Sequence, residues 1–394
     1  MNSSIVKRIP NKYARIAALG MAAILLLSVA GCTAQAPQGW SGCSSDGTNI
    51  YYGSSDGKII CINPEARSAN LTFPHRESNE WYFSLRAPAS SSMLGCGQPS
   101  SVGQTIYSTP AIGDELVYLA TYYGINQGKL YAFTSGTGSE RWINPREAQD
   151  SLGHIVGNIL LADKNIYLTS ENGKIYAFDQ VYGDKLWDFD TQERIWTSPA
   201  YNNGTLFVAN YKGTVYALSS QNLTEIWHVQ LPAAVASSPV VYRDNIVVGA
   251  FDHSLYSISQ TDGKIAWNFK GGNWFWADPV VQDDYIFAAC LDKKIYAISG
   301  DTGRSVWEYE TSSAVSAKPY VAGNMLAAAT EEGDIYILET SSGVLLQQYS
   351  LEAKVLAPLL IQDNILYVRS QDNYTHAIDL AGEKATWKFK AVIE

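Results

Sequence analysis

Apolar residues along this chain fall in runs of about five, β-branched or alternating with polar positions, and polar turns of two to four residues separate them. The stretch from Ser237 shows the pattern. Ser237-Ser238-Pro239-Val240-Val241 predicts a first strand, with proline near its start, where one edge lacks a partner. Tyr242-Arg243-Asp244-Asn245 is a polar turn, and Ile246 to Ala250 predicts a second strand. Asp252-His253 turns the chain into a third strand, Leu255 to Ser259. Thr261-Asp262-Gly263-Lys264 turns it again, and Ile265 to Phe269 completes a four-stranded antiparallel meander.

The meander repeats. Trp187, Trp227, Trp267, Trp307, Gln347 and Trp387 stand 40 residues apart, and an aromatic–small–aliphatic triplet such as Tyr216-Ala217-Leu218 or Tyr296-Ala297-Ile298 precedes each of the first five by about 11 residues. One such unit cannot bury both faces of its own sheet, so a fixed period predicts an array of packed sheets. Eight units can be traced. The slot near the start of the first strand reads Cys43, Pro110, Ile159, Pro199, Pro239, Pro279, Pro319, Pro358, and the outer slot reads Trp81, Trp142, Trp187, Trp227, Trp267, Trp307, Gln347, Trp387. The predicted fold is all-β, an eight-bladed propeller over residues 40–394. Its blades run near 40–89, 104–146, 153–191, 193–231, 233–271, 273–311, 313–351 and 353–391. Insertions enlarge the first two units at Arg67 to Glu80, Ala87 to Val102 and Tyr122 to Gln127, and such loops are where specific contacts are expected.

Residues 1–31 do not fit the repeat. Lys7, Arg8, Lys12 and Arg15 precede an apolar run from Ile16 to Ala30, which is short for a membrane span and suits a secretory signal. The run ends in Val29-Ala30-Gly31-Cys32, which resembles the bacterial lipoprotein cleavage box. That resemblance implies cleavage before Cys32, lipid on its sulfur and a tether over 32–39. An uncleaved anchor, or an ordinary signal cut near Ala34, are the alternatives; each exports the body of the protein. Without the leader, 24 basic residues face 38 acidic ones, a net charge of −14, which disfavours nucleic acid as a partner. An exported chain can keep disulfides. Cys61 and Cys290 sit in strand positions that predict buried thiols, leaving Cys43 and Cys96 as the expected bridge.

Ala132–Gly138–Trp142, Ala177–Gly183–Trp187 and Ala297–Gly303–Trp307 share one small-x5-Gly-x3-Trp spacing, and Ser257–Gly263–Trp267 differs only in its first member. This resembles the tryptophan-docking repeat of quinoprotein-like (PQQ-type) eight-bladed propellers, over nearly all of the chain beyond the leader. The resemblance implies that glycine permits the turn and the small residue admits an indole from a neighbouring blade. Trp142, Trp187, Trp227, Trp267, Trp307 and Trp387 are therefore read as structural docking residues. Gln347 for Trp and Leu223 for Gly mark decayed copies, where looser joints are expected.

The same resemblance raises quinone chemistry. Dehydrogenases of this fold carry adjacent cysteines, a Glu/Asn/Asp calcium set and a catalytic Asp. This chain has no adjacent cysteines and no recognisable calcium set, so no catalytic, cofactor or metal residue is assigned. Its five histidines are scattered, and no P-loop, Rossmann or GxSxG motif occurs.

What remains is surface. Residues just before the proline slot should line the central channel: Gly42, Thr109, Asn158, Ser198, Ser238, Asp278, Lys318 and Ala357. Asp278 and Lys318 are expected to pair across this ring. Three positions before the slot stand Trp40, Tyr107, Trp196 and Trp276, with Trp274 two residues ahead of the last. These aromatics are either inter-blade packing or an exposed recognition patch. The reading is a non-enzymatic, membrane-anchored cell-envelope scaffold that binds envelope or membrane proteins, as a monomer or a subunit of a hetero-complex. It resembles the propeller lipoproteins of outer-membrane barrel assembly. The alternatives are a PQQ-dependent dehydrogenase and a small-ligand or peptide sensor.

Overall fold

A computed structural model describes residues 39–85, 105–122, 127–147, 151–382 and 386–391. The signal segment, Cys32, the tether up to residue 38, Cys96 and the Ala87–Val102 insertion lie outside them.

The described strands form eight separate four-stranded sheets, each with its strands in chain order. These are the eight blades of the propeller, numbered here along the chain. Blade 5 runs Val240–Tyr242, Asn245–Gly249, Ser254–Ser259 and Ile265–Lys270. Its innermost strand is shorter than the pattern predicts. Pro239 has no N–H to give the ladder, and the Ser238 N–H bonds a neighbouring blade instead. The outer pair sets Ser257 opposite Trp267, and a bulge between Ser257 and Ile258 then re-aims the strand toward its turn.

No single core holds the molecule. Eight apolar clusters form, and each joins two neighbouring blades. Between blades 4 and 5, for example, Phe207, Ala209 and Val215 meet Ile246, Val248 and Ile258, all fully buried. The second and third strands supply these residues from both faces, which is why they read as nearly continuous apolar runs.

Beyond the clusters, one backbone carbonyl recurs at the seven joints between consecutive blades, in the turn after the third strand. Trp267 Nε1 donates to Gly300 O at 2.8 Å, while its ring lies against Gly303, whose φ is +68°. A Cβ at that glycine would stand 2.6 Å from an indole atom. Trp81, Trp227 and Trp307 reach Ser135 O, Gln260 O and Thr340 O in the same way, at 2.6, 2.8 and 2.9 Å. At Gln347 the side-chain amide takes over, donating to Leu380 O at 2.9 Å, so that copy keeps its hydrogen bond and lacks only the indole's bulk.

Two joints use a tyrosine. Trp142 packs on Gly183 with its Nε1 buried and unpartnered, and the Tyr118 hydroxyl donates to Gln180 O at 3.0 Å. Trp187 departs furthest from the expected docking. At the equivalent glycines an added Cβ would come within 2.3–2.8 Å of an indole atom, and here Leu223 carries that Cβ at φ +55°. Leu223 fills the joint and is 2% exposed, whereas Trp187 is pushed out to 43% exposure. Tyr167 OH then serves Ser220 O at 2.8 Å.

The ring closes between blades 8 and 1, and no strand is shared across that seam. The Arg67–Glu80 insertion acts there. Helix α1, Pro64–Ser68, is capped by Asn63, whose side chain accepts from Glu65 N and Ala66 N. It presents Arg67, whose Nε and Nη2 meet Glu80 Oε1 and Oε2 at 2.7 and 2.8 Å, almost without solvent contact. The Glu80 carboxylate also accepts from Asn63 N and His75 N, so its lone pairs are spent. The guanidinium lies over Phe389 of blade 8 at 4.8 Å, and Arg369 lies over Tyr52 of blade 1 at 4.3 Å. Cys43, expected to bridge Cys96, is instead a buried free thiol at the same seam, and burial pushes it up to about 12.

Two stability outcomes follow. Trp267→Ala should cost about 3–5 kcal/mol in denaturant unfolding, and Trp187→Ala no more than ~1.5 kcal/mol, because only the first opens a cavity. Equal losses would refute the steric account of Leu223. Glu80→Ala should cost about 3–5 kcal/mol by leaving Arg67 buried and unpaired; a melting temperature unchanged by that variant would remove the clasp role.

Candidate functional site

The innermost strands meet around a funnel. Its ring of channel residues is tied together in one direction, backbone N–H of one blade to side chain of the next. Thr109 N donates to Asn158 Oδ1, Asn158 N to Ser198 Oγ and Ser198 N to Ser238 Oγ, each at 2.8 Å. Ser238 N then donates to Asp278 Oδ1 at 2.6 Å. The series stops at Asp278 because the next position, Lys318, has only donors. The expected Asp278–Lys318 pair does not form: no ion pair joins them, Asp278 serves Ser238, and the Lys318 ammonium has no partner among the described residues.

Above this ring lies a cavity of about 390 Å³. Trp40, Tyr107, Trp196, Trp274, Trp276, Asp278 and Lys318, the seven surface candidates read from the sequence, all line it. Their aromatic members are part of a longer belt. Trp40 meets Tyr107 edge-on at 4.4 Å, Tyr107 meets Tyr122 at 5.3 Å, and Tyr122 stacks on His154 at 3.7 Å. His154 Nδ1 lies 3.0 Å from Glu171 Oε2, and Glu171 Oε1 accepts from Trp196 Nε1 at 2.6 Å. The belt continues through Tyr211, 4.7 Å from Trp196. It ends in a near-parallel stack in which Phe251 lies 4.5 Å from Trp274 and 5.7 Å from Trp276. Burial, with Tyr122 and Glu171 nearby, raises the Tyr107 phenol to about 12, so it stays neutral.

The belt both packs and faces outward: its rings touch one another, yet Trp274 is 41% exposed. Several of its members belong to a ring that the sequence reading missed. Glu171, Tyr211, Phe251, Leu291, Glu331 and Gln371 follow the second strand of blades 3 to 8 at the same spacing of 40. Each donates its backbone N–H to the carbonyl 17 residues earlier, as Tyr211 does to Arg194 and Glu331 to Ala314, both at 2.9 Å. The rim is thereby fixed by backbone, and side chains vary freely on it. Aromatics fill one arc, while blade 7 offers Ser316, Lys318 and Glu331.

Among the described residues no three His, Cys, Asp or Glu side chains converge as metal ligands, and Asp278 Oδ1 is spent on Ser238.

Comparison with known proteins supports the fold. The family described as "Outer membrane protein assembly factor BamB" (PQQ_2) matches residues 98–187, 171–315, 272–331 and 292–392. No curated protein sequence matches significantly. Among solved structures, the crystal structure of the computationally designed Ika8 protein is 16% identical with a TM-score of 0.67, over 86% of this chain and 95% of that one. The crystal structure of BamB from Moraxella catarrhalis is also 16% identical, with a TM-score of 0.62 over 84% of this chain and 91% of that one. At such identity the structural likeness speaks for the fold alone.

Asp278→Ala should cost about 1–3 kcal/mol by orphaning the Ser238 N–H, and Asp278→Asn, which keeps an acceptor, clearly less. Chemical denaturation of the two variants measures the difference. Equal losses would show that the acceptor is immaterial.

Proposed function

Because the chain belongs to the family described as outer membrane protein assembly factor BamB, we propose that it is a non-enzymatic scaffold of the cell envelope, holding protein partners against its propeller mouth and loops. The observation that carries this reading is the aromatic rim: rings packed on one another over a backbone hydrogen-bonded ring, with Trp274 left open to solvent. Preorganised aromatic side chains give binding energy at small entropic cost, and tryptophan is the residue type most enriched at interface hot spots. The family description favours assembly work in the envelope.

The leader adds the anchor. Its basic start, apolar run and Ala30-Gly31-Cys32 ending support export and lipid attachment at Cys32, with the propeller held near a membrane by the segment 32–39. Partners are then envelope or membrane proteins.

Two variants test the proposal in the native host. Cys32→Ser should lose the mass of an attached lipid, read by mass spectrometry of the intact chain from the membrane fraction. Trp274→Ala should lose the partner proteins that crosslink to the wild-type chain while its thermal melt stays unchanged. A wild-type chain that carries no lipid mass refutes lipid anchoring, and undiminished crosslinking of the second variant refutes the mouth as the docking surface.

A further inference from the structure

The mouth carries an electrostatic preference. Trp274, Phe251 and Trp276 stack nearly parallel, with interplanar angles of 8° and 17°, and both indoles, each with a flat π-face, line the cavity. Such a face is electron-rich, most strongly so for tryptophan, and attracts cations within about 6 Å of the ring. Two carboxylates share the cavity, Asp278 and Glu331, against one ammonium, Lys318. Among the described residues the Glu331 carboxylate has no hydrogen-bond or ion-pair partner, and Asp278 spends only Oδ1 on Ser238. The belt already carries one guanidinium of its own: Arg194 lies over Tyr211 at 5.6 Å. The chain as a whole is acidic, at −10, which draws basic partners and repels acidic ones.

We propose that the mouth captures an arginine side chain from an extended segment of the partner, laid on the Trp274 face and ion-paired with Glu331. Arginine fits better than lysine because its planar guanidinium stacks on an indole and still directs N–H groups at a carboxylate. An anionic segment would meet two carboxylates and several π-faces with only Lys318 in its favour. This inference rests on the mouth being the docking surface, and it adds the chemistry of what docks.

The test is titration of the full chain with four probes, followed by tryptophan fluorescence: a Gly-Arg repeat peptide, its lysine and glutamate counterparts, and the neutral sugar maltotetraose. The arginine peptide should quench, with the lysine peptide about threefold weaker and the glutamate peptide without effect. Glu331→Gln and Trp274→Leu should each weaken arginine binding by about tenfold, with melts unchanged. Arginine peptide that fails to bind, glutamate peptide or maltotetraose that binds as well, or Glu331→Gln that binds like wild type each overturns the proposal. The two readings fail separately. Partner crosslinking that needs Trp274, without arginine-peptide binding, ends the arginine inference and leaves the scaffold. Arginine binding with crosslinking indifferent to Trp274 ends the scaffold reading of the mouth.

Discussion

Each of the seven chain-connected joints turns on one polar obligation, a carbonyl in the turn after the third strand that must find a donor in the blade before it. A carbonyl shut away from water without one costs as much as a lost hydrogen bond. Three different chemistries meet the obligation here: an indole N–H at Ser135, Gln260, Gly300 and Thr340, an amide at Leu380, and a phenol at Gln180 and Ser220. The side chain is exchangeable and the acceptor is not. That is why a copy without tryptophan, such as Gln347, still holds its place in the ring.

Satisfying these carbonyls, together with the eight clusters between blades, makes the ring stiff, and the stiffness is what gives the funnel meaning. Rim side chains at Glu171, Tyr211, Phe251, Leu291, Glu331 and Gln371 hang from identical backbone hydrogen bonds, so the rim can change chemistry without changing shape. Its asymmetry, aromatic at Tyr211 and Phe251 and polar at Glu171, Glu331 and Gln371, is therefore a property of sequence alone. Function rests on that asymmetry, since the fold beneath it serves many purposes.

Much of this could be read from residues. The period of 40, the four-strand pattern and the Gly–Trp spacing specify the fold because they are local and repeat. The cavity lining could be read too, because positions before the proline slot must point at the axis. What escaped was relational. The amide of Gln347 and the hydroxyls of Tyr118 and Tyr167 matter only through a carbonyl on another blade. Asp278 looked like a partner for Lys318, but the nearer backbone N–H of Ser238 competes for its oxygen, and a hydrogen bond made without moving a long side chain wins. The Arg67–Glu80 insertion read as a contact loop, yet its buried ion pair turns it inward to the seam.

Because every blade is one uninterrupted stretch, seven neighbouring pairs are linked by peptide and the eighth is not. Tension drawn through the chain ends would pull on that unlinked pair alone, in the manner of a zip fastener, while the others stay tethered however far they part. The same arrangement makes the number of blades easy to change: a whole unit can be added or removed between two others without cutting a hydrogen-bonded ladder. A ring of this kind grows by insertion, and its one fixed address is where the first and last units meet.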